Sequence, residues 1–255
     1  MTVKPDPGNT GGGRNLWTKS ITVKPPSHGW LFWYTKMSRI VVFANGILND
    51  PERLKAQLRP DDRIFCADGG TKHALALGIT PEAIIGDLDS VAPEIIERMA
   101  AQNVAIHRYP AAKDETDLEL ALRIAIAENP AEIMLATLLG GRLDQMLGNL
   151  LLLTHPDYAD AQMTFVDGAQ SGRLIRAHQT VTIEGQPGDT LSLIPLTPTV
   201  SEVTFEGVDW PLNQATLSFG STWSISNSLT ARQATVQIGE GMVFLIHIDK
   251  TFEEI

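Results

Sequence analysis

From Met37 to Asp167 short apolar runs alternate with amphipathic stretches, and this alternation limits the possible folds more than any other feature of the chain. RIVVFANG reads as a strand and turn, PERLKAQL as a short helix, and DRIFCADGG as a strand ending in glycines. TKHALALG, APEIIERMAAQ, TDLELALRIAIAE and LDQMLGNLLLLT carry helical spacing, while AIIGDLDS, AIHRYP, EIMLATLLGG and MTFVDG read as the strands between them. Strict β–α alternation predicts a doubly wound, mostly parallel sheet with helices on both faces. Ligands of such sheets collect at the carboxyl ends of the strands. ADGG, GDLDS and LLGGRLD all fall at such ends.

After Ser171 the pattern changes. QTVTIEG, DTLSLIPL, EVTFEGV, ATLSFG, WSISNSL, ATVQIG and MVFLIHID are short, rich in Thr, Val, Ile and Ser, and separated by Gly, Pro and Asn. They predict an antiparallel β-sandwich. The expected organisation is therefore an α/β domain over 37–170 followed by a β-sandwich domain over 171–255. Residues 1–36 differ from both: Lys4, Arg14, Lys19, Lys24 and Lys36 stand against Asp6 alone, with no sustained period. They are expected to form a disordered leader outside the functional protein.

A formal charge of −10 argues against a nucleic-acid partner, which needs a basic face. A cation or a metal-complexed anion suits this surface better. No apolar run reaches the roughly 18 residues of a membrane span, so a soluble chain is expected. The single cysteine, Cys66, excludes an internal disulfide framework, fits a reducing cytoplasm and reads as a small apolar filler in a strand.

Asp87 and Asp89 of IIGDLDSV lie at i and i+2, so in an extended segment their side chains share a face. Their charges repel unless a proton or a cation intervenes. Turn chemistry explains such residues equally well, but a hard cation such as Mg²⁺ fits a carboxylate pair beside substrate phosphates. In KDETDLELAL, Thr116 and Glu119 form a capping box, which leaves Asp114 and Asp117 at a helix start where acids are welcome in any case. In LLGGRLDQ, Gly140 and Gly141 can turn backbone N–H groups toward phosphate, Arg142 offers a planar donor fork, and Asp144 has a plain structural alternative as a cap of the next helix. Asp68, Gly69 and Gly70 form a similar strand end. Acids at several strand ends, edged by phosphate donors, point to metal-assisted phosphoryl chemistry. No Walker sequence, GxSxG or HExxH occurs, which disfavours P-loop, serine-hydrolase and zinc-protease chemistry.

With ADGG, GDLDS, KDETDLELAL and GGRLDQ in this order, followed by GDTLSLIPL, GVDWPL and SISN, the chain resembles the thiamine pyrophosphokinases of bacterial type from about Arg39 to Ile248. The resemblance implies pyrophosphoryl transfer from ATP to the hydroxyethyl oxygen of thiamine, giving thiamine diphosphate and AMP. It implies Asp87, Asp89 and Asp117 as Mg²⁺ ligands, with Asp114 and Thr116 lining the same pocket. Arg142 would contact phosphate, Asp144 would position the reacting groups, and Asp68, Gly69 and Gly70 would line the nucleotide side. It further implies a homodimer with thiamine at the subunit interface, facing Ser224, Ser226 and Asn227. Trp210 is either an aromatic wall there or part of the sandwich core. Two other readings stand beside this one: a pyrophosphokinase acting on another alcohol such as a hydroxymethylpterin, and a non-catalytic thiamine- or nucleotide-binding module.

Overall fold

The computed structural model describes residues 38–251; the basic leader expected over 1–36 lies outside them. The first half runs β1 (Arg39–Phe43), α1 (Pro51–Gln57), β2 (Arg63–Ala67), α2 (Gly70–Ala76), β3 (Ala83–Gly86), α3 (Pro93–Ala101), β4 (Ala105–Arg108), α4 (Asp117–Ala127), β5 (Glu132–Ala136), α5 (Leu143–Leu152) and β6 (Met163–Asp167). Strands β7 (Gln170–Arg176), β8 (Thr180–Glu184), β9 (Thr190–Pro195), β10 (Thr199–Glu206) and β11 (Leu212–Ser218) follow. β12 (Asn227–Ser228), β13 (Gln233–Gln237) and β14 (Met242–Ile248) are the last strands among the described residues.

β1 is the axis of the α/β half. It pairs in parallel with β2 on one side and β5 on the other, and every one of its residues is buried. A strand covered on both faces needs apolar side chains at every position, which RIVVF supplies after Arg39. Its alternate residues feed two cores. Ile40 and Val42 meet Leu118 and Leu122 of α4, while Val41 and Phe43 meet Leu54, Ala74 and Met99 of the first three helices. Arg39, at the start of β1, is fixed by a buried fork to Asp62, with Nε and Nη2 at 2.8 and 2.7 Å from the carboxylate oxygens. The chain passes outward from β1 to β4 and then returns through α4 to β5 on the far side of β1. The direction of winding thus reverses between β1 and β5, the kind of crevice where open α/β sheets hold ligands.

The β half is not a separate pair of sheets. The larger sheet has ten strands in the order β12-β9-β14-β7-β6-β5-β1-β2-β3-β4, so its antiparallel end continues the parallel one. A four-stranded sheet, β11-β10-β13-β8, packs on that antiparallel end to make the sandwich. Its core holds Ile175, Leu193, Val203, Phe205, Leu217, Val236 and Val243. β7 joins the two regions: it folds back on β6 through a tight turn at Gly168 and Ala169 and pairs with β14 on its other side. QSGRLIR forms a strand that the sequence pattern does not predict, because its front half is polar and only Gly172 and Ile175 are buried. Among the described residues, no helix is long and apolar enough to cross a membrane.

Gly172 sits at this seam. A Cβ there would collide with the Phe165 ring of β6 and lie 2.9 Å from the Leu245 carbonyl oxygen of β14. Phe165 in turn meets Phe244 edge-on at 6.3 Å. Gly172→Ala is expected to destabilise the fold by about 1–3 kcal/mol through overpacking, read as a lowered urea midpoint with an unchanged slope.

Candidate active site

The parallel strands all release the chain at one edge of the sheet. β2 runs into Asp68, which is buried and holds φ at +41°. For a residue with a Cβ this region costs on the order of 1 kcal/mol. Backbone bonds keep it there: the Asp68 N–H donates to Ile85 O (2.8 Å), and its carbonyl accepts from the Thr71 N–H (3.0 Å) and hydroxyl (2.8 Å).

β3 stops at Gly86, and Leu88 also takes a left-handed conformation, φ +68°, with its side chain buried against the α1–α3 side of the sheet. Asp87 and Asp89 therefore do not share a face through strand pleating, as an extended segment would have it. They are brought together by a turn that drives Leu88 inward between them. Asp87 Oδ1 accepts from the Asp89 N–H at 3.2 Å, and Asp89 Oδ1 accepts from the Ser90 hydroxyl at 3.0 Å. One carboxylate oxygen from each of Asp68, Asp87 and Asp89 lies within 4.8 Å of the other two.

Asp117 opens α4, whose first turn is capped by Thr116 Oγ1 accepting from the Glu119 N–H at 3.2 Å. The other half of the expected capping box does not form, because the Glu119 carboxylate turns to Arg123 at 2.7 Å. Gly86 allows Asp117 to approach: a Cβ there would lie 3.0 Å from Asp117 Cγ and 3.0 Å from Asp68 Cβ. Lys113, for which the sequence pattern gives no role, has its Nζ 2.9 Å from Asp117 Oδ1 and 3.8 Å from Asp87 Oδ2. The contact to Asp117 is between charges without hydrogen-bond alignment, so this buried oxygen has no directed partner. Burial, with Asp87 and Asp68 adding to it, pushes the Asp117 carboxyl above its ordinary value in spite of Lys113. Lys113 is itself disfavoured by burial, yet Asp117, Asp87 and Asp68 hold it above the usual lysine value. Both values rise, which disfavours the charged form of Asp117 and favours that of Lys113, for one reason: a single ammonium faces an excess of carboxylates. An all-oxygen donor set with surplus negative charge and an undirected Asp117 oxygen suits a hard cation such as Mg²⁺. Asp114, next along, is exposed.

Gly69 and Gly70 answer to packing. A Cβ on Gly70 would strike the Phe43 carbonyl, and one on Gly69 would strike Asn45. Across the β1–β5 crevice, Gly140 and Gly141 have φ of +79° and +74°. Ile47 fills the space beside Gly140, whereas Gly141 has open space around it. Arg142 and Asp144 are both well exposed and pair with each other through two contacts of 3.1 and 2.6 Å. They stand on the same sheet edge as the acids but outside the carboxylate group. Cys66 is fully buried, and burial raises its thiol far out of the reactive range.

In the β half the SISN residues divide by role. The Ser224 hydroxyl donates to Leu193 O at 2.8 Å. Asn227 is buried, accepts from the Trp210 and Ser228 N–H groups at 3.0 and 2.9 Å, and donates to Trp210 O at 2.8 Å. Both side chains therefore pin loops, while that of Ser226 is exposed at φ +61°. Trp210 is 64% exposed, which removes the sandwich-core alternative; Phe219, Trp223 and Ile225 are exposed as well. Asn227→Ala is expected to cost about 1–3 kcal/mol, since it leaves buried backbone groups unpaired. Ser226→Ala is expected to stay within about 0.5 kcal/mol of the parent chain. Urea denaturation of the two variants side by side measures the difference.

Comparison with known proteins matches two family models in order along the chain: "Thiamin pyrophosphokinase, catalytic domain" over residues 54–165 and "Thiamin pyrophosphokinase, vitamin B1 binding domain" over residues 178–243. The thiamine pyrophosphokinase of Bacillus subtilis is 31% identical over 179 residues, covering 70% of this chain and 84% of the relative. The crystal structure of the Bacillus subtilis thiamine pyrophosphokinase superposes with a TM-score of 0.73 at 28% identity, covering 83% of this chain and 99% of that one. That of the Geobacillus thermodenitrificans thiamin pyrophosphokinase gives 0.73 at 29% identity, covering 84% and 99%. A mixed sheet carrying clustered acids at its carboxyl edge, together with both domain models and these relatives, places the chain in the thiamine pyrophosphokinase family, and it is a kinase of that family.

Proposed function

We propose that the chain transfers a pyrophosphoryl group from ATP to the hydroxyethyl oxygen of thiamine, giving thiamine diphosphate and AMP. The observation that carries the ATP and metal part of this reading is the convergence of Asp68, Asp87 and Asp89 within 4.8 Å, with Asp117 and Lys113 beside them. Asp87, Asp89 and Asp117 would hold Mg²⁺, and the geometry adds Asp68 to the same pocket. When bound, Mg²⁺ neutralises charge on the phosphate chain and polarises the β-phosphorus.

The remaining work is alignment, which suits side chains that bind and orient without forming covalent intermediates. Gly141, with open space around a left-handed backbone, and Arg142 receive phosphate oxygens from the β5 side of the crevice; Arg142 is exposed and exchanges its Asp144 contact for them. Asp144, so released, helps to position the reacting groups. Gly69, Gly70 and Gly140 keep the strand ends close enough for a nucleotide to span β1. Asp114 borders this nucleotide side, and Thr116 acts by fixing the first turn of α4, where Asp117 begins. The thiamine hydroxyl oxygen attacks the β-phosphorus in line, its proton passing to a neighbouring carboxylate or to solvent, and the bond from that phosphorus to the bridging oxygen of AMP breaks.

Thiamine is received by the β half, with Trp210 and Ser226 facing it and with Ser224 and Asn227 holding their loops. A homodimer with thiamine at the subunit interface agrees with two exposed apolar features. Leu143, Leu147 and Leu151 form a stripe on α5 at helical spacing, and Trp210, Phe219, Trp223 and Ile225 are exposed on the β half.

Incubation with ATP, thiamine and Mg²⁺ is expected to release AMP in step with thiamine diphosphate, and a hydroxymethylpterin acceptor is expected to release none. Asp87→Asn should lower that rate by about a hundredfold or more with an unchanged far-UV circular dichroism spectrum. Wild-type turnover by this variant would remove Asp87 from the machinery.

A further inference from the structure

Lys113 is placed where a bound cation would be. Its side chain is only 12% exposed, and its ammonium lies between the carboxylates of two different loops, 2.9 Å from Asp117 Oδ1 and 3.8 Å from Asp87 Oδ2. Its field also extends to Asp68. The spacing of four residues between Lys113 and Asp117 delivers the ammonium from just before α4 back onto the start of that helix. A lysine so confined offsets the repulsion among the acids, but it does so with the oxygens that a divalent ion would need.

We propose that Lys113 is the pocket's resident counter-cation: it competes with a divalent ion for Asp87 and Asp117, so that the ion binds well only when a phosphate chain draws the ammonium away. This inference rests on the reading of the acids as a divalent-metal site. The compact, strongly hydrated lysine charge on a flexible stem suits such an exchange, because it can follow phosphate oxygens without the fixed fork of an arginine. Metal and nucleotide would then assist each other, each relieving a cost that the other would meet alone. Lys113 acts here as a positioning residue, through the acids and not on the reacting atoms.

The test is Mn²⁺ binding to the full chain, followed by the electron paramagnetic resonance signal of free Mn²⁺, with and without a nonhydrolysable ATP analogue. Without nucleotide, Lys113→Met is expected to bind Mn²⁺ roughly tenfold more tightly than the wild type, because a charge a few ångströms from the ion has been removed. Lys113→Arg keeps the charge and should stay near the wild type. With the analogue present, the advantage of Lys113→Met should disappear. A structural ion pair alone predicts the opposite sign, since a loosened pocket binds Mn²⁺ more weakly. Lys113→Gln serves as a second neutral variant should the methionine disturb folding, as judged by circular dichroism. If the wild type binds Mn²⁺ with the analogue and neither neutral variant binds it more tightly without nucleotide, the lysine inference is overturned while the metal site stands. If no form of the chain binds Mn²⁺ even with the analogue, both ideas fall.

Discussion

A strand with no exposed face and a hydrogen-bonded neighbour on each side leaves the chain little freedom. β1 is such a strand, paired in parallel with β2 and β5. Parallel pairing obliges each connection to cross over a face of the sheet, so every strand of this half ends at the same edge. Adjacent strands are about 4.8 Å apart, which brings side chains from loops distant in sequence into one small region. Asp68 and Asp117 are neighbours across Gly86 for this reason. The packing of Ile40 to Phe43 is thus the remote cause of the electrostatics at the loop ends.

The site itself works against the preferences of its residues. Asp68 and Leu88 hold left-handed backbone conformations, and Asp117 is half-buried with its charge only partly answered. Such costs persist only where the surroundings over-determine them. Here the surroundings are the Thr71 and Ile85 bonds to Asp68 and the apolar anchoring of Leu88. Asn45 and His73 have a similar supporting role on the β1 loop, with His73 Nε2 donating to Gly46 O at 3.0 Å and Asn45 Oδ1 accepting from Lys72 at 2.9 Å. Strain and charge meet where a ligand of opposite sign would relieve the second.

How much of this could be read from the letters alone depended on range. The periodicity of RIVVF, RIFCA and EIMLA identified the buried strands, since a two-faced burial leaves no polar position to confuse the pattern. Thr116 as a cap was equally legible, being a local matter, although Glu119 found Arg123 in place of its half of the box. GDLDS indicated two cooperating acids, but not the left-handed Leu88 that unites them. Lys113 was hidden because its partners are an acid four residues on and another in a different loop. QSGRLIR was hidden because its burial comes from β6 and β14, neither of which leaves a trace in the segment's own composition. The polarity of Ser224 and Asn227 is visible in the sequence, but its direction is not: Ser224 donates to the Leu193 carbonyl of β9 and Asn227 to the Trp210 carbonyl.

The hairpin between β6 and β7 carries a consequence for how the molecule can be divided. Because one hydrogen-bonded ladder runs through both halves, there is no linker to act as a hinge and no natural place to cut. A fragment ending at the turn would present β6 as a raw edge, and its complement would present β7 likewise, each a template for aggregation. The two halves are therefore not modules to be exchanged or expressed apart. They are one woven fabric, and whatever one half grips, the other holds taut.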